Sequence, residues 1–388
     1  MPLFDPRDLI AWYVFQANAY AQERRDWFEP EAFRIAPVFR RLGQLVPQLE
    51  EVAGAMERVE KIMKEGKSQP DDGLFELLVA GAYKTRSWPE VQFVPERPGI
   101  AKTHDLFASR GRSRWAVECK RVNRSGYESE EYGHGLRVAR TVHELCRSRR
   151  RSLVLEVVFE AELANVSDEY LAERADAFIT DSSCTQWEDD WSHGRVREVE
   201  WHTVQSVLQR DDVFFGSSRM VELLVGRYVQ HVDHSVASDW IPARGRPLYA
   251  TAVNQASVIS WMSNSQEAMS RKARHFRSIV ARASEQLPAD CPSAIHVGYE
   301  ARDGNSVGAL RHELNRIQMR SFDPKKSRLR WVYGNYLSPE HTNHPNESSA
   351  LSETTATYKI GRHSTSNPLP NHLLFNDDPG VRGHHWRW

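Results

Sequence analysis

The sequence predicts a protein of the α/β class (α+β), in which helices flank a central sheet. Three observations support this class. The first 69 residues carry apolar side chains at helical spacing. Residues 102–121 read as two short strands joined by a turn, and helices alternate with apolar strands further along. With 388 residues, the chain is long enough for two or three domains.

Composition and charge narrow the function classes. The chain is 40% hydrophobic and 27% charged, as is ordinary for a soluble globular protein. Its formal net charge is −1, so local patches of arginine, and not the overall charge, must carry any binding to nucleic acid. Four scattered cysteines suggest neither a metal site nor a disulfide framework, which favours a reducing, cytoplasmic location. No secretory signal or apolar membrane span is found, so we expect no membrane partner.

The N-terminal region, residues 1–69, is predicted to be helical. Apolar residues from Pro37 to Lys64 recur at alternating steps of four and three, which is the spacing of one helix face. Pro47 lies inside this run and is expected to kink or split it. Two interpretations stay open: the helices pack on the core as a lead-in, or they form a helix–helix contact in a homodimer.

The first helix and strand of the core follow a polar linker. Pro70–Asp72 is expected to cap a helix over residues 73–87. Glu76 stands among the apolar residues of that helix, where it either belongs to a site or faces solvent. Val91–Glu96 reads as the first strand, with Pro95 near its end.

Residues 102–121 place three charged side chains together. Asp105 lies on the first strand of the hairpin, and Glu118 and Lys120 lie on the second. Side chains alternate between the faces of a strand, so Glu118 and Lys120 share one face and Cys119 points to the other. Two carboxylates near each other suit a hard divalent cation, which takes oxygen ligands. A structural ion pair between Glu118 and Lys120 is the alternative.

The residues Asp105, Glu118, Cys119 and Lys120 resemble the core motif of the PD-(D/E)xK nuclease superfamily. The resemblance covers residues 70–159 well and departs at His104, where the family often has proline. It implies a restriction-endonuclease-like central mixed sheet flanked by helices, in the core order helix, strand, strand, strand, helix, strand. The motif then lies on the second and third strands.

The resemblance also implies the chemistry of the site. Asp105 and Glu118 would hold Mg²⁺, with Mn²⁺ able to substitute, and the backbone carbonyl of Cys119 and the carboxylate of Glu76 would add ligands. Lys120 would orient the attacking water. The implied function is Mg²⁺-dependent hydrolysis of phosphodiester bonds in DNA, by an endonuclease or an exonuclease. The alternative is a catalytically inactive nucleic-acid-binding protein that keeps the nuclease fold.

The elements after the motif are expected to finish the core. Residues 126–135 read as a loose acidic segment, and Leu136–Arg147 as a helix with arginines facing outward. Ser152–Phe159 is an apolar run, typical of a buried strand, and we expect it to be the last strand of the core. Six arginines are predicted to contact phosphates, although a solvated surface would explain them as well: Arg121, Arg137, Arg140, Arg147, Arg149 and Arg150.

The remaining chain is divided by composition and pattern. The nuclease core spans residues 70–160, and residues 161–250 form an insertion or accessory subdomain. Trp187, Trp191 and Trp201 in the insertion build a small core or stack on unpaired bases. Residues 251–337 contain a β-α-β arrangement that could complete the core sheet. Residues 338–388 are rich in Pro, Asn, Ser, Thr and His, and they are predicted to be a poorly ordered tail.

Overall fold

A computed structural model describes residues 5, 7–22, 28–95, 103–122, 125–227, 232–300, 309–340, 350–370 and 372–376. These residues form a mixed α/β structure with two six-stranded sheets, each of which combines parallel and antiparallel strands. Among them, no helix is both long and apolar enough to cross a membrane.

Three helices occupy the described part of residues 1–69. They are α1 (Leu9–Ala21), α2 (Glu29–Leu49) and α3 (Ala55–Lys64). α2 contains Pro37 and ends two residues after Pro47, so the apolar run is divided between two helices. α3 buries Ile62 but leaves the side chains of Met56, Val59 and Met63 exposed.

The first sheet contains the predicted motif. Its strand order is β1-β2-β3-β10-β11-β12, and β3 runs parallel to β10. One side of the sheet packs on α4 and the other on α9 and α10, because apolar side chains occupy both faces of the central strands. The elements are α4 (Asp71–Thr85), β1 (Glu90–Phe93), β2 (Leu106–Arg110), β3 (Ser113–Val122), α9 (Gln266–Ser284), β10 (Ser293–Glu300), α10 (Ala309–Arg320), β11 (Leu329–Glu340) and β12 (Ala350–Lys359).

The second sheet is formed by the chain between β3 and α9. Its order is β5-β6-β4-β9-β7, with β8 paired to the long strand β9. α5 and α6 cover one face of this sheet, and α7 and α8 cover part of the other. The elements are α5 (Gly126–Arg149), β4 (Leu153–Phe159), α6 (Tyr170–Thr180), β5 (Gln186–Glu188), β6 (Ser192–Glu198), α7 (Trp201–Leu208), β7 (Val213–Phe214), α8 (Ser218–Val225), β8 (Asp233–Ala243) and β9 (Arg246–Ser263).

Two predictions about the core are corrected by this topology. The apolar strand predicted over Ser152–Phe159 exists as β4, but it pairs with β6 and β9 in the second sheet. The neighbour of the motif strand is β10, because an apolar run suits any buried strand and does not specify its partner. The loose segment predicted over residues 126–135 is the first part of α5.

Local hydrogen bonds explain the boundaries of α4 and α5. Ser125 Oγ accepts from the backbone N–H of Glu128 at 3.1 Å, and Glu128 Oε2 accepts from the Ser125 N–H at 3.0 Å. This capping box starts α5 at Gly126. In α4 the N-cap residue is Pro70, and the aspartates Asp71 and Asp72 lie in the first turn without capping it. There they face the positive end of the helix dipole.

The tail predicted from residue 338 onward is also corrected within the part that the structure describes. β12 pairs along its whole length with β11, and Leu369 and Leu374 beyond it are fully buried. Residues 341–349, 371 and 377–388 lie outside the described residues.

The three tryptophans singled out in the predicted insertion lie near the second sheet. Trp187 and Trp201 pack on its two hydrophobic cores, and the Trp191 side chain is 42% exposed.

Candidate functional site

The hairpin of β2 and β3 holds Asp105 against the motif strand. Asp105 directly precedes β2, and its backbone N–H donates to the carbonyl of Val117 at 3.1 Å. The backbone N–H of Cys119 donates to Asp105 Oδ2 at 2.7 Å. The two strands therefore fix both the backbone and the carboxylate of Asp105 beside Glu118.

Glu118 and Lys120 lie on the same face of β3. The Lys120 ammonium forms an ion pair with Glu118 Oε1, as the alternation of side chains predicts. The Glu118 side chain is fully buried, whereas the Lys120 side chain is 32% exposed, so the cluster reaches solvent at the lysine. Glu118 Oε2 is buried and has no hydrogen-bond donor among the described residues, and the carboxyl groups of Glu118 and Asp105 lie within hydrogen-bonding reach of each other.

The electrostatics of the cluster show a shortage of positive charge. Burial raises the pKa of Glu118 to about 8, and repulsion from Asp105 adds to this effect while Lys120 opposes it. Burial also raises the pKa of Asp105, against the hydrogen bond from the Cys119 N–H. Burial alone would lower the pKa of Lys120, but the charge of Glu118 raises it, so Lys120 stays an ammonium ion. Burial thus disfavours the charged form of both acids, and the charges of Lys120 and Arg58 offset it only in part.

Glu76 has a partner of its own. Arg58 Nε lies 3.0 Å from Glu76 Oε2, and both side chains are nearly buried. The charge of Arg58 also lowers the pKa of Asp105, so this guanidinium is near both acids. The structure therefore pairs the carboxylate of Glu76 on α4 with Arg58. Its role as a ligand, like that of the Cys119 carbonyl, stays a prediction.

The donor set fits a magnesium ion better than a transition metal. Within the described ranges, no group of three or more His, Cys, Asp or Glu side chains is arranged to hold a metal. Mg²⁺ is usually bound by one or two carboxylates together with waters and substrate phosphates. Asp105 and Glu118 supply that pair, and the unfilled oxygen of Glu118 and the raised pKa values of both acids are what such an ion would relieve.

Gln286 belongs to the cluster, although sequence reasoning missed it. It follows the end of α9, and its side-chain amide lies 3.2 Å from both Glu118 Oε1 and Lys120 Nζ when the amide nitrogen faces the carboxylate. In that orientation it donates to the acid and accepts from the lysine. The residue stands far from the hairpin in sequence and carries no local pattern, so only the packing of α9 on β3 reveals it.

His104 occupies the position where the related motif often has proline. Its ring is buried and packs edge-on against Phe107 at a centroid distance of 4.3 Å. Burial lowers its pKa to about 4, with a smaller contribution from the charge of Arg114. His104 is therefore a neutral, packed side chain that supports the start of β2.

The structure corrects the prediction that Arg121 contacts nucleic acid. The Arg121 side chain is only 6% exposed, and its guanidinium is paired with Glu300 on β10. Arg34 of α2 binds the same carboxylate at 2.9 Å. Arg121 on β3 is thus linked through Glu300 on β10 to Arg34 on α2. A guanidinium that is buried and paired in this way is not available to a phosphate in solution.

The other five predicted arginines lie on the outer surface of α5. Three of them pair with acids: Arg137 with Asp168, Arg140 with Glu144 and Arg149 with Asp176. Arg147 and Arg150 are exposed at the end of the helix. A rise of 1.5 Å per residue puts that end about 30 Å from Gly126, where the helix leaves β3. Their contact with phosphates stays a prediction.

The fold and the site define an α/β protein with a pair of carboxylates and a lysine on one face of a sheet strand. Comparison with known proteins gives no assignment beyond this: no family model, curated protein or solved structure matches the chain.

The first prediction concerns Asp105 as a metal ligand. Asp105→Asn keeps an acceptor for the Cys119 N–H but removes the negative charge, so we expect Mn²⁺ affinity measured by calorimetry to fall about ten-fold or more. Asp181→Asn, an exposed aspartate at the end of α6, is the control and should bind as the wild type does. Unchanged affinity in Asp105→Asn would remove this residue from the site.

The second prediction concerns pH. With its pKa raised to about 8, Glu118 takes up a proton as the pH falls through that value, and a bound cation must displace it. Apparent Mn²⁺ affinity should therefore fall as pH drops below 8, by about ten-fold per unit while one proton is displaced. Calorimetry in buffers of different ionisation enthalpy should detect the released proton. Glu118→Gln should bind weakly without this dependence, and a flat wild-type profile between pH 6 and 8 would contradict the prediction.

Proposed function

We propose that this protein is a Mg²⁺-dependent nuclease that hydrolyses phosphodiester bonds in DNA. The observation that carries the proposal is the convergence of Asp105, Glu118 and Lys120 on one face of the hairpin, with the lysine reaching solvent. A pair of acids and an ammonium ion at one point suit metal-assisted attack of water on a phosphodiester. The proposal includes a restriction-endonuclease-like core.

The topology of the first sheet supports that core. α4, β1, β2, β3, α9 and β10 follow the order helix, strand, strand, strand, helix, strand, and β10 lies parallel beside β3. Asp105 lies at the start of the second of these strands, and Glu118 and Lys120 lie on the third. The second sheet is then an insertion between the third strand and the second helix of the core.

Each side chain has a distinct role in the proposed reaction. Mg²⁺, when bound, supplies polarisation of the scissile phosphate and a lower pKa for the attacking water. Asp105 and Glu118 would hold the ion. Lys120, which remains protonated, would donate hydrogen bonds to the water or to a phosphate oxygen as charge builds there. Gln286 would hold the side chains of Glu118 and Lys120 in position through hydrogen bonds to both.

A catalytically inactive nucleic-acid-binding protein of the same fold is the second candidate. Two observations favour it: Lys120 is already paired with Glu118, and Glu76 is paired with Arg58. In such a protein the ion pair would stabilise the hairpin, and the basic surfaces would carry the binding. Cleavage assays separate the two candidates.

The decisive experiment is a cleavage panel with supercoiled plasmid, linear duplex DNA, single-stranded DNA and RNA, each with Mg²⁺, Mn²⁺ or a chelator. We expect metal-dependent loss of duplex DNA. Cutting of the closed plasmid would mark an endonuclease, and loss of linear DNA alone would mark an exonuclease. Binding without cleavage under every metal would overturn the proposal in favour of the inactive protein.

The cellular setting and the assembly complete the proposal. We propose the cytoplasm as the location, which suits the four free cysteines. Nucleic acid is the proposed partner. A homodimer through the exposed face of α3 stays a prediction, to be tested by light scattering.

A further inference from the structure

The second sheet carries a cavity of about 590 Å³ that the proposed reaction does not use. Its lining includes Glu156, Val158, Arg195, Arg227, Ser260 and Met262. It lies on a different sheet from Asp105 and Glu118. The volume exceeds what one nucleotide needs and falls within the range of small-molecule sites.

Strand register explains why this face is open. Arg195, Glu156 and Ser260 are opposite one another across β6, β4 and β9, and Met262 is opposite Val158 in the next row. These residues alternate with the fully buried side chains that pack under α5 and α6. α7 and α8 cover the same face further along, at Val154. The uncovered part combines charged groups with the 39% exposed side chain of Met262.

One buried carboxylate organises the charges of the cavity. Glu156 Oε2 accepts from Arg195 Nε at 2.6 Å, and Glu156 Oε1 accepts from Arg227 Nη2 at 2.7 Å. Arg197 Nε lies 3.9 Å from the same acid. The Glu156 side chain is 13% exposed, whereas Arg195 and Arg227 are 43% and 57% exposed. The lining itself holds two guanidinium groups, of Arg195 and Arg227, and two acids, Glu156 and Glu188, and Arg197 lies outside it.

This arrangement is suited to an anion. A guanidinium has five N–H donors, and Glu156 takes one from each of Arg195 and Arg227 while holding both side chains in place. The other donors can bind phosphate oxygens in the bidentate manner typical of arginine. Val158 and Met262 provide an apolar surface beside them for a flat, uncharged group.

We propose that the cavity binds one nucleotide, with its phosphate between Arg195 and Arg227 and its base against Val158 and Met262. The inference rests on the proposed function, because the nucleotide is taken to belong to an unpaired stretch of the strand that the Asp105–Glu118 site cuts; a base paired in a duplex could not reach Val158 and Met262. A free nucleotide has the same chemistry, and the experiment separates the two sources.

The path of the chain through α9 indicates how long a DNA strand must be to reach from the cavity to the Asp105–Glu118 site. β9 ends at Ser263 beside the cavity, and α9 leads from there to Gln286 next to Glu118. The 19 residues of α9 span about 28 Å at 1.5 Å per residue. At the 3.4 Å spacing of phosphates along one strand of a duplex, about eight nucleotides cover that distance, and a more extended single strand needs fewer. Oligonucleotides of 12 residues should therefore bind more tightly than those of four.

The test uses fluorescence anisotropy with a labelled 12-nucleotide single-stranded DNA. The full chain carries Lys120→Ala and a chelator is present, so that no cleavage occurs. Arg195→Gln and Arg227→Gln should each weaken binding at least about five-fold and lower the slope of log affinity against log salt by about one. Arg316→Gln is the matched control, because the Arg316 side chain is 40% exposed, close to the 43% of Arg195, and it pairs with Glu313 outside the cavity. Thermal melts check that each variant is folded.

Competition by adenosine monophosphate distinguishes a nucleotide that belongs to a DNA strand from a free nucleotide. Weak, Arg227-dependent competition is expected for a site that holds one unit of a strand. Competition as strong as that of the 12-nucleotide strand would overturn the link to the cleaved strand and leave a free nucleotide as the occupant. Binding of the strand that is equal in Arg195→Gln, Arg227→Gln and the control would overturn the cavity itself. Failure of the nuclease proposal is seen separately, as a lack of cleavage by the parent chain.

Discussion

Lys120→Ala is expected to reduce metal-dependent cleavage by about a thousand-fold. The ammonium of Lys120 reaches solvent beside the two acids, and it stays protonated because Glu118 raises its pKa against burial. Removing one preorganised donor from a charged transition state typically costs two to three orders of magnitude. Rates are measured on the substrate that the panel identifies, at saturating Mg²⁺.

The fold and the binding of nucleic acid should survive this change. Glu118 without its partner can take up a proton, since burial already raises its pKa to about 8. Lys67→Ala is the matched control: Lys67 stands in a second Glu-x-Lys sequence, but it is an exposed surface residue 3.7 Å from Asp8. Lys67→Ala should cut as the wild type does. Wild-type rates in Lys120→Ala would show that the proposed mechanism is wrong.

Glu353→Ala is expected to lower the free energy of unfolding by about 3 kcal/mol or more. Glu353 on β12 is fully buried, and its Oε2 accepts from the backbone N–H groups of Leu374 and Phe375 at 2.7 and 3.0 Å. Its Oε1 accepts from Asn335 Nδ2 at 3.1 Å. Alanine would leave these donors buried without an acceptor, and each costs about 1–3 kcal/mol. Urea unfolding followed by circular dichroism gives the value.

Glu353→Gln separates this mechanism from a simple loss of volume. Glutamine keeps one oxygen in reach of both the Leu374 and Phe375 N–H groups, so most of the stability should remain. If Glu353→Gln and Glu353→Ala lose the same amount, the hydrogen bonds are not the cause. If neither loses stability, the segment after β12 does not contribute to folding as its burial indicates.

The candidate site could be predicted from sequence because its main parts are local. A turn between two short apolar strands brings Asp105 beside β3, and alternation places Glu118 and Lys120 on one face. Both are properties of about twenty consecutive residues. The ordering of helices and strands around the hairpin is likewise set by short-range patterns.

The predictions that were wrong, and the residue that was missed, involve contacts between residues far apart in sequence. The strand beside β3 is β10, and an apolar pattern cannot state which of several buried strands will pair there. The sequence predicted that Arg121 contacts a phosphate, but in the structure its guanidinium is paired with Glu300. Gln286 joins the cluster only because α9 packs on the motif strand. In each case the deciding contact spans more than 150 residues of sequence.

The prediction of a poorly ordered tail was wrong for a different reason. The composition of this segment is polar, yet several of its side chains are buried. Asn335, Glu353 and His372 are fully buried and hydrogen-bonded together, with Asn335 Nδ2 3.0 Å from His372 Nε2. Paired polar groups can occupy a core at little cost. Composition alone treats the same residues as solvated.

The parallel pairing of β3 with β10 has a consequence for biosynthesis. β3 ends at Val122 and β10 begins at Ser293, so about 170 residues must be made before the two strands can meet. A ribosome-bound chain has already exposed the hairpin while its central neighbour is still untranslated. The face of β3 that carries Glu118 and Lys120 can therefore be completed only late in translation, after the chain of the second sheet has been made.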